Sequence, residues 1–319
     1  MNKCIVQKGT ENEFPIAYTL EGNLHSKNLL VMIHGGGMDL HEQGVYPVFD
    51  DTGKPVKHMI DGKMKTVLSK QHIGNYDRIV GELEALDVDA LIVRIDLRNH
   101  GLSVLENGEM DKRDTSVLRF AGDVADVIQS IVEEFEIENI HLHGTCMGGL
   151  VSQCVAVGLT TSNSKEYMDK IRSLFLNCPL AFEILGTTDP NDGFNYEKNK
   201  MILDGPSGTQ FTKMKGMFEG KATLKEASLY FDLPEKVASL QLPTFYLYGK
   251  NDQMIPSEKS KFILERMMRI NPHITSFEMD VVNSHGVAQH CLYSPQCADM
   301  YLRLATQFYD DKLQKGRVL

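Results

Sequence analysis

Short apolar runs alternate along the chain with longer segments in which apolar residues recur every three or four positions. The short runs are rich in β-branched and aromatic residues, which predicts strands. They are Leu29–His34, Ala90–Asp96, Ile140–Gly144, Ser173–Asn177, Thr244–Gly249 and Thr275–Val281, preceded by an antiparallel start at Ile5–Lys8 and Ile16–Leu20. The longer segments predict amphipathic helices, and they span residues 75–86, 117–136, 147–160, 257–270 and 295–312.

Strands that alternate with helices are typical of βαβ units and of a mainly parallel sheet flanked by helices. The predicted fold class is therefore α/β, with one core made of residues 1–179 and 241–319. Two stretches are too long to be simple connections. Residues 38–73 carry the turn signals Asp51-Thr52-Gly53-Lys54 and Ile60-Asp61-Gly62-Lys63, which predict one or two small hairpins. Residues 180–240 join a turn-rich stretch to a Met- and Phe-bearing helical segment, which predicts a cap over a pocket.

Composition and charge narrow the classes of partner. The chain has 319 residues, a hydrophobic fraction of 42% and a net charge of −10. It has no basic surplus for binding nucleic-acid phosphates or an anionic membrane. No apolar run follows Lys3 and none is long enough to span a membrane, so we expect a cytoplasmic protein. The six cysteines are too scattered for a disulfide framework or a metal site, and we expect most of them to be free, buried thiols.

One cysteine stands in a sequence context that points to chemistry. Gly144-Thr145-Cys146-Met147-Gly148 lies between a predicted strand and a predicted helix. This is the context of the G-x-S-x-G nucleophile elbow, with cysteine in place of serine. The two glycines let the strand and the helix pack closely around a strained turn, and the helix N-terminus favours the thiolate, the form that attacks. The alternative is a buried structural cysteine on a Gly-rich turn.

The order of the motifs resembles that of the α/β-hydrolase superfamily, in particular its Cys-nucleophile members such as the dienelactone hydrolases and polyhydroxyalkanoate synthases. This resemblance runs from about Leu29 to His285 and implies an eight-stranded, mostly parallel sheet with a cap insertion. His34-Gly35-Gly36-Gly37 resembles the oxyanion loop of the superfamily. By that resemblance the backbone of Gly36, with Gly35 or Gly37, joins the N–H of Met147 in holding an oxyanion.

A second loop of the chain resembles the D-x-R-G-H-G-x-S turn of the same superfamily. It runs from Asp96 to Ser103, with Asn99 where glycine is usual. We interpret Asp96, Arg98 and His100 as braces of this loop, and His34 as a structural residue that holds the oxyanion loop.

The superfamily order of nucleophile, acid and base locates the remaining catalytic candidates. Gly249-Lys250-Asn251-Asp252 follows an apolar strand and resembles the acid turn, so Asp252 is the predicted acid. His285 follows the last strand and is the predicted base, oriented by Asp252. Asp280 is the weaker alternative acid and His290 the weaker alternative base.

These residues predict an enzyme that cleaves a carboxylic ester or thioester through a thioester acyl-enzyme on Cys146, without a metal or redox cofactor. An acyltransferase that passes the acyl group to an alcohol or amine is the alternative, and a non-catalytic ligand-binding protein is a further one. A Ser-to-Cys substitution at position 146 of an ordinary esterase is also left open. The expected partner is a small acyl donor, with a homodimer as an alternative to a monomer. Candidates for contact with the substrate are His34, Gly37, Met214 and Phe218, of which the last two belong to an apolar set in the cap that also includes Met201, Phe211 and Met217.

Overall fold

A computed structural model of the protein describes residues 1–11, 13–36, 38–43, 45–47, 57–60, 62–66, 68–70, 74–105, 116–163, 165–180, 232–250, 252, 255, 257–280 and 295–313. The helices within these ranges are α1 Asn75–Ala85, α2 Val117–Glu134, α3 Met147–Ala156, α4 Leu233–Ser239, α5 Ser257–Met268 and α6 Pro295–Leu313. A short 3₁₀ turn covers Met168–Lys170.

The central sheet contains eight of the described strands. They are β1 Asn2–Val6, β2 Phe14–Gly22, β3 Asn28–Ile33, β8 Leu91–Ile95, β9 Asn139–Thr145, β10 Ile171–Asn177, β11 Thr244–Gly249 and β12 Ile274–Met279; outside this sheet lie β4 Val45–Pro47, β5 Lys57–Ile60, β6 Lys63–Thr66 and β7 Leu68–Lys70. The order across the sheet is β1-β2-β8-β3-β9-β10-β11-β12. Strand β2 is antiparallel to both of its neighbours, whereas every pair from β8 to β12 is parallel. The predicted eight-stranded, mostly parallel sheet is therefore confirmed.

Helices cover the two faces of the sheet because both faces are apolar. One face packs on α2, α3, α4 and α5 through buried side chains such as Phe120, Leu150 and Met267. The opposite face packs on α1 and α6, where Tyr76 and Tyr301 are fully buried. Parallel strands covered on both faces read as continuous apolar runs, which is why β3, β8, β10 and β11 were visible in the sequence.

The first insertion contains the hairpin that one of its turn signals predicts. Strands β5 and β6 pair antiparallel, and Gly62, which lies between them in the chain, has a φ of 71°. Strands β4 and β7 pair with each other on either side of this hairpin. The other signal, Asp51-Thr52-Gly53-Lys54, lies outside the described residues.

The second insertion is described only at its ends, since residues 181–231 lie outside the described ranges. Its last part forms α4, whose Val237 and Ala238 are buried in the main apolar cluster. Glu235 of this helix also pairs with Arg266 of α5 at 2.5 and 2.8 Å. Residues 233–240, which the sequence assigned to the cap, therefore pack as part of the core. None of the described helices is long and apolar enough to cross a lipid bilayer.

Candidate functional site at the carboxyl edge of the sheet

Cys146 occupies a sharp turn between β9 and α3. It is the N-cap residue of α3, with φ 52° and ψ −115°, a left-handed conformation that costs a non-glycine residue of the order of 1–3 kcal/mol. Hydrogen bonds on both sides maintain it: the Cys146 N–H donates to the carbonyl of Asn177 at 2.8 Å, and the Cys146 carbonyl accepts from the Leu180 N–H at 2.8 Å. The thiol is half-buried and not in a disulfide. The strained strand–turn–helix context expected of a nucleophile elbow is present.

Glycines flank Cys146 where any side chain would collide with backbone. A Cβ on Gly148 would overlap the carbonyl oxygens of Ile33 and His34, and a Cβ on Gly144 would overlap the carbonyl of Gly148. Gly149 meets the ring of Pro179 in the same way. The glycines therefore allow α3 to pack directly on β3 and β9, which fixes the height of Cys146 above the sheet.

The loop after β3 lies against Cys146. A Cβ on Gly35 would stand 3.2 Å from Cys146 Cβ and 3.3 Å from the sulfur of Met38. His34 holds the start of this loop, since its Nε2 accepts from the Leu97 N–H at 3.0 Å and its Nδ1 donates to the Gly35 carbonyl at 2.7 Å. Burial lowers the pKa of His34 well below its ordinary value, so the ring is neutral, in agreement with a structural role.

The turn after β8 supports that loop from the other side. The Asp96 carboxylate accepts from the Leu40 N–H at 2.7 Å and from the Leu102 N–H at 2.8 Å. Burial raises the pKa of Asp96 to about 6. Arg98 forms a buried, two-bonded ion pair with Asp123 of α2, both bonds being 2.8 Å long. Asp96 and Arg98 thus brace the turn, as the sequence led us to expect.

Two carboxylates that the sequence offered as acids occupy different environments. Asp252 is buried, and its Oδ1 accepts from the Ile255 N–H at 2.9 Å. Asp280 is largely exposed and pairs with Lys250 at 2.6 Å. Strands β9, β10 and β11 are consecutive parallel neighbours, so Cys146 and Asp252 follow carboxyl ends at the same edge of the sheet.

Several candidate residues lie outside the described residues. They are the predicted base and its alternative, one glycine of the oxyanion loop, the apolar set of the cap and one cysteine: His285, His290, Gly37, Met201, Phe211, Met214, Met217, Phe218 and Cys291. In the sequence His285 comes after β12, which is the strand next to β11. The other oxyanion candidates lie within the described residues: Gly36 follows Gly35 in the chain, and Met147 follows Cys146.

Other described histidines of the core are poor candidates for a base. The ring of His143 contacts the hydroxyls of Tyr309 at 2.9 Å and Tyr301 at 2.5 Å. Burial lowers the pKa of His143 to about 3, and that of His100 and His141 to about 4 each. These rings are neutral at physiological pH and engaged in structural contacts. Within the described ranges no three His, Cys, Asp or Glu side chains are grouped so that they could hold a metal ion.

One residue near Cys146 was missed by sequence reasoning. Glu42, in the loop after β3, is fully buried and close enough to Cys146 for their charges to interact. The side chains of Thr145 and Asn75 lie near enough to this carboxyl group to lower its pKa in part. A single glutamate among 43 acidic residues carries no motif, and only its turn geometry brings it inside.

No protein-family model and no curated protein matches the chain. Solved structures do match it over almost its full length. An esterase from Thermogutta terrifontis is 15% identical, with 98% of this chain and 100% of that chain covered and a TM-score of 0.56. A Butyrivibrio proteoclasticus protein solved with ferulic acid is 13% identical, with coverages of 93% and 95% and a TM-score of 0.57. A lipase-esterase related protein from Clostridium acetobutylicum is 20% identical, with coverages of 92% and 99% and a TM-score of 0.51.

The strand order, the position of the elbow and these structural matches agree on one architecture. The chain has the α/β-hydrolase fold, with a mostly parallel eight-stranded sheet between two layers of helices. At these low identities the likeness concerns the fold. The chemistry has to be argued from the residues themselves.

Proposed function

We propose that the protein is a hydrolase that cleaves a carboxylic ester or thioester, with Cys146 as nucleophile, His285 as base and Asp252 as the acid that orients the base. The observation that carries this proposal is the strained turn at Cys146, with a φ of 52°, beside the glycine loop that begins at Gly35. Strain of this kind persists at positions that the surroundings over-determine, and such positions are concentrated in active sites.

The proposed reaction begins with a proton transfer. His285 takes the proton of the Cys146 thiol, and the thiolate attacks the carbonyl carbon of the substrate. The carbonyl oxygen becomes an oxyanion, held by the backbone N–H groups of Met147 and Gly36. As the tetrahedral intermediate collapses, the bond to the leaving alcohol or thiol breaks and His285 returns the proton to it. The product of this half-reaction is a thioester between the acyl group and Cys146.

Water completes the second half-reaction in a hydrolase. His285 takes a proton from the water, hydroxide attacks the thioester, and the acid leaves as Cys146 regains its proton. The esterases among the matched structures support water as the acceptor. An alcohol or amine acceptor would make the same acyl-enzyme the intermediate of an acyltransferase.

Intact mass spectrometry tests the proposal. The wild-type protein and a Cys146→Ala variant are exposed briefly to acyl esters and acyl thioesters, with and without an added amine. An acyl mass increment confined to the wild type, and lost in water with release of the acid, is the expected result. An increment that persists until the amine arrives would assign an acyltransferase. Neither an increment nor product release with any donor would overturn the proposal.

A further inference from the structure

The loop after β3 places one acidic side chain in the interior. Glu42 has a φ of 57°, a conformation that an L-residue rarely adopts. Asp39 imposes it: the Glu42 N–H donates to the Asp39 carbonyl at 2.7 Å, and the Asp39 carboxylate accepts from the N–H groups of His41 and Gln43 at 3.1 and 3.0 Å. The result is a turn that directs a glutamate inward, with no part of it exposed.

The surroundings of Glu42 are polar but carry few satisfied hydrogen bonds. Among the described residues, neither carboxyl oxygen of Glu42 and neither amide atom of Asn75 has a partner with good hydrogen-bond geometry, and the same is true of Oδ1 of Asn177. The hydroxyl of Thr145 links this cluster, because its oxygen accepts from the Asn177 side-chain amide at 3.4 Å and lies 3.2 Å from the Tyr76 hydroxyl oxygen. Thr145 directly precedes Cys146, so the cluster adjoins the nucleophile.

Glu42 is buried, and no cation of the described residues is among the groups that shift its pKa, so a charge on its carboxyl group is disfavoured. A buried carboxylate needs a cation or several donors to offset its lost hydration. Burial therefore raises the pKa of Glu42 to about 8, and the negative charge of Cys146 raises it further, whereas Thr145 and Asn75 lower it in part. A thiolate and a carboxylate that are close enough for their charges to interact repel each other, so each makes ionisation of the other harder.

We propose that Glu42 is a positioning residue that stays uncharged at neutral pH, so that the single negative charge of this cluster is carried by the Cys146 sulfur. The inference rests on Cys146 being the nucleophile, as under Proposed function. In this role Glu42 is not a base. Its protonated carboxyl group fills the polar site beside the thiolate and adds no second negative charge there.

Among the described residues, the other titratable side chains of this cluster do not ionise near neutral pH. Tyr301 of α6 interacts with Glu42, and burial raises the pKa of Tyr301 well above its ordinary value. His143 contacts the hydroxyls of Tyr301 and Tyr309; burial lowers the pKa of His143 to about 3 and raises that of Tyr309 well above its ordinary value. Tyr76 of α1 donates its hydroxyl hydrogen to the Ile33 carbonyl at 2.8 Å.

The rate at which iodoacetamide alkylates Cys146 measures its thiolate fraction without any ester substrate. The rate is followed by mass spectrometry from about pH 5 to about pH 10 in the wild type and in the Glu42→Gln variant, with Cys146→Ala as the blank for other thiols. Glu138→Gln is the matched control, because Glu138 is an exposed glutamate paired with Lys27 before β9 starts. It should reproduce the wild-type profile.

The expected result is a single-step profile in Glu42→Gln, with a midpoint equal to or below that of the wild type. The wild-type profile should instead broaden into two steps, because the second charge is added against the first. An alkylation rate at about pH 7 that falls tenfold or more in the folded Gln variant would overturn the proposal, since it would make Glu42 a base or an acceptor for the thiol. Superimposable profiles would overturn it as well.

One further measurement keeps the test decisive if the variant folds poorly. In wild-type protein with isotope-labelled Glu carboxyl carbons, nuclear magnetic resonance should show one carboxyl group that stays protonated at about pH 7 and titrates near about pH 8. A spectrum in which every Glu carboxyl is ionised at about pH 7 would contradict the inference. If Cys146 shows the two-step profile but accepts no acyl group, the proposed function fails, and the coupled ionisation of Glu42 and Cys146 stands.

Discussion

Gly148 of α3 lies directly against the Ile33 carbonyl at the end of β3. A Cβ on Gly148 would overlap that oxygen and the carbonyl oxygen of His34. Helix α3 can therefore start immediately after Cys146 only if position 148 has no side chain. This close contact packs the turn at Cys146 against the start of the loop that follows β3.

Replacement of Gly148 by Ala should destabilise the protein severely, by about 3 kcal/mol or more, because the added methyl group meets backbone that cannot move aside. Gly81→Ala is the matched control. Gly81 lies on the exposed face of α1 with nothing within 4 Å of its added Cβ, so alanine there should stabilise by about 0.5–1 kcal/mol. Urea unfolding of both variants measures the difference, and equal effects would contradict the packing argument.

Replacement of Gly35 by Ala should act on chemistry more than on stability. The added Cβ of Ala would stand 3.2 Å from Cys146 Cβ and 3.3 Å from the Met38 sulfur. The side chains of these two residues must therefore shift by tenths of an ångström. Misplacement on this scale lowers rates by about tenfold or more. The acylation rate of Cys146 and the unfolding midpoint of the same variant provide the comparison. A normal acylation rate would show that this loop does not bound the reaction site.

Asp252→Asn and Asp280→Asn should separate the two candidate acids. Asp252 is buried at the edge of the sheet, and an amide in its place cannot stabilise a charged histidine, so acylation should slow by about a hundredfold or more. Asp280 forms an exposed pair with Lys250, and solvent and salt screen such pairs strongly, so its replacement should leave the rate nearly unchanged. Stopped-flow kinetics with one chromogenic ester suffices, and the reverse ranking would move the acid to Asp280.

His143 should make stability depend on pH in the acid range. Its pKa is lowered from 6.5 to about 3 in the folded protein, so below pH 6.5 the unfolded chain binds a proton that the folded one does not. Stability therefore falls as the pH falls from 6.5 towards 3, by about 1.4 kcal/mol per pH unit for this group. Urea titrations at several pH values should give a smaller slope for His143→Phe than for the wild type. Parallel slopes would contradict a neutral His143.

The sequence predicted the elements that periodicity and turn residues determine. Strand β11 has the predicted bounds, and α3 is shorter than predicted because Gly158, with a φ of 67°, closes it: the N–H groups of Gly158 and Leu159 donate to the carbonyls of Val155 and Cys154. This is a Schellman motif, and the glycine that forms it was visible in the sequence. Strand β1 runs from Asn2 to Val6, earlier than predicted, because Gln7 adopts a φ of 51° and starts the hairpin loop.

The site was predictable where a short motif carries it and hidden where the fold assembles it. Cys146 and Gly35 each belong to a short motif whose residues all lie in one backbone turn, so the motif can be recognised from the sequence alone. Glu42 comes to Cys146 through a turn set by Asp39 and through the Asp96–Leu40 hydrogen bond, a contact between residues 56 positions apart. No local pattern encodes such a contact, since the motif that contains Asp96 does not indicate that its carboxylate accepts from the distant Leu40 N–H.

The hydrogen bond from the Leu180 N–H to the Cys146 carbonyl lies at the end of the chain segment that the structure describes after β10. Strand β10 ends at Asn177 and is held in register with β9 and β11. A graft of a different segment after Leu180 would therefore start one residue after a backbone bond to Cys146. The turn at Cys146 should keep its geometry in such a graft, because its contacts with Asn177 and with the glycines of α3 come from residues before the junction.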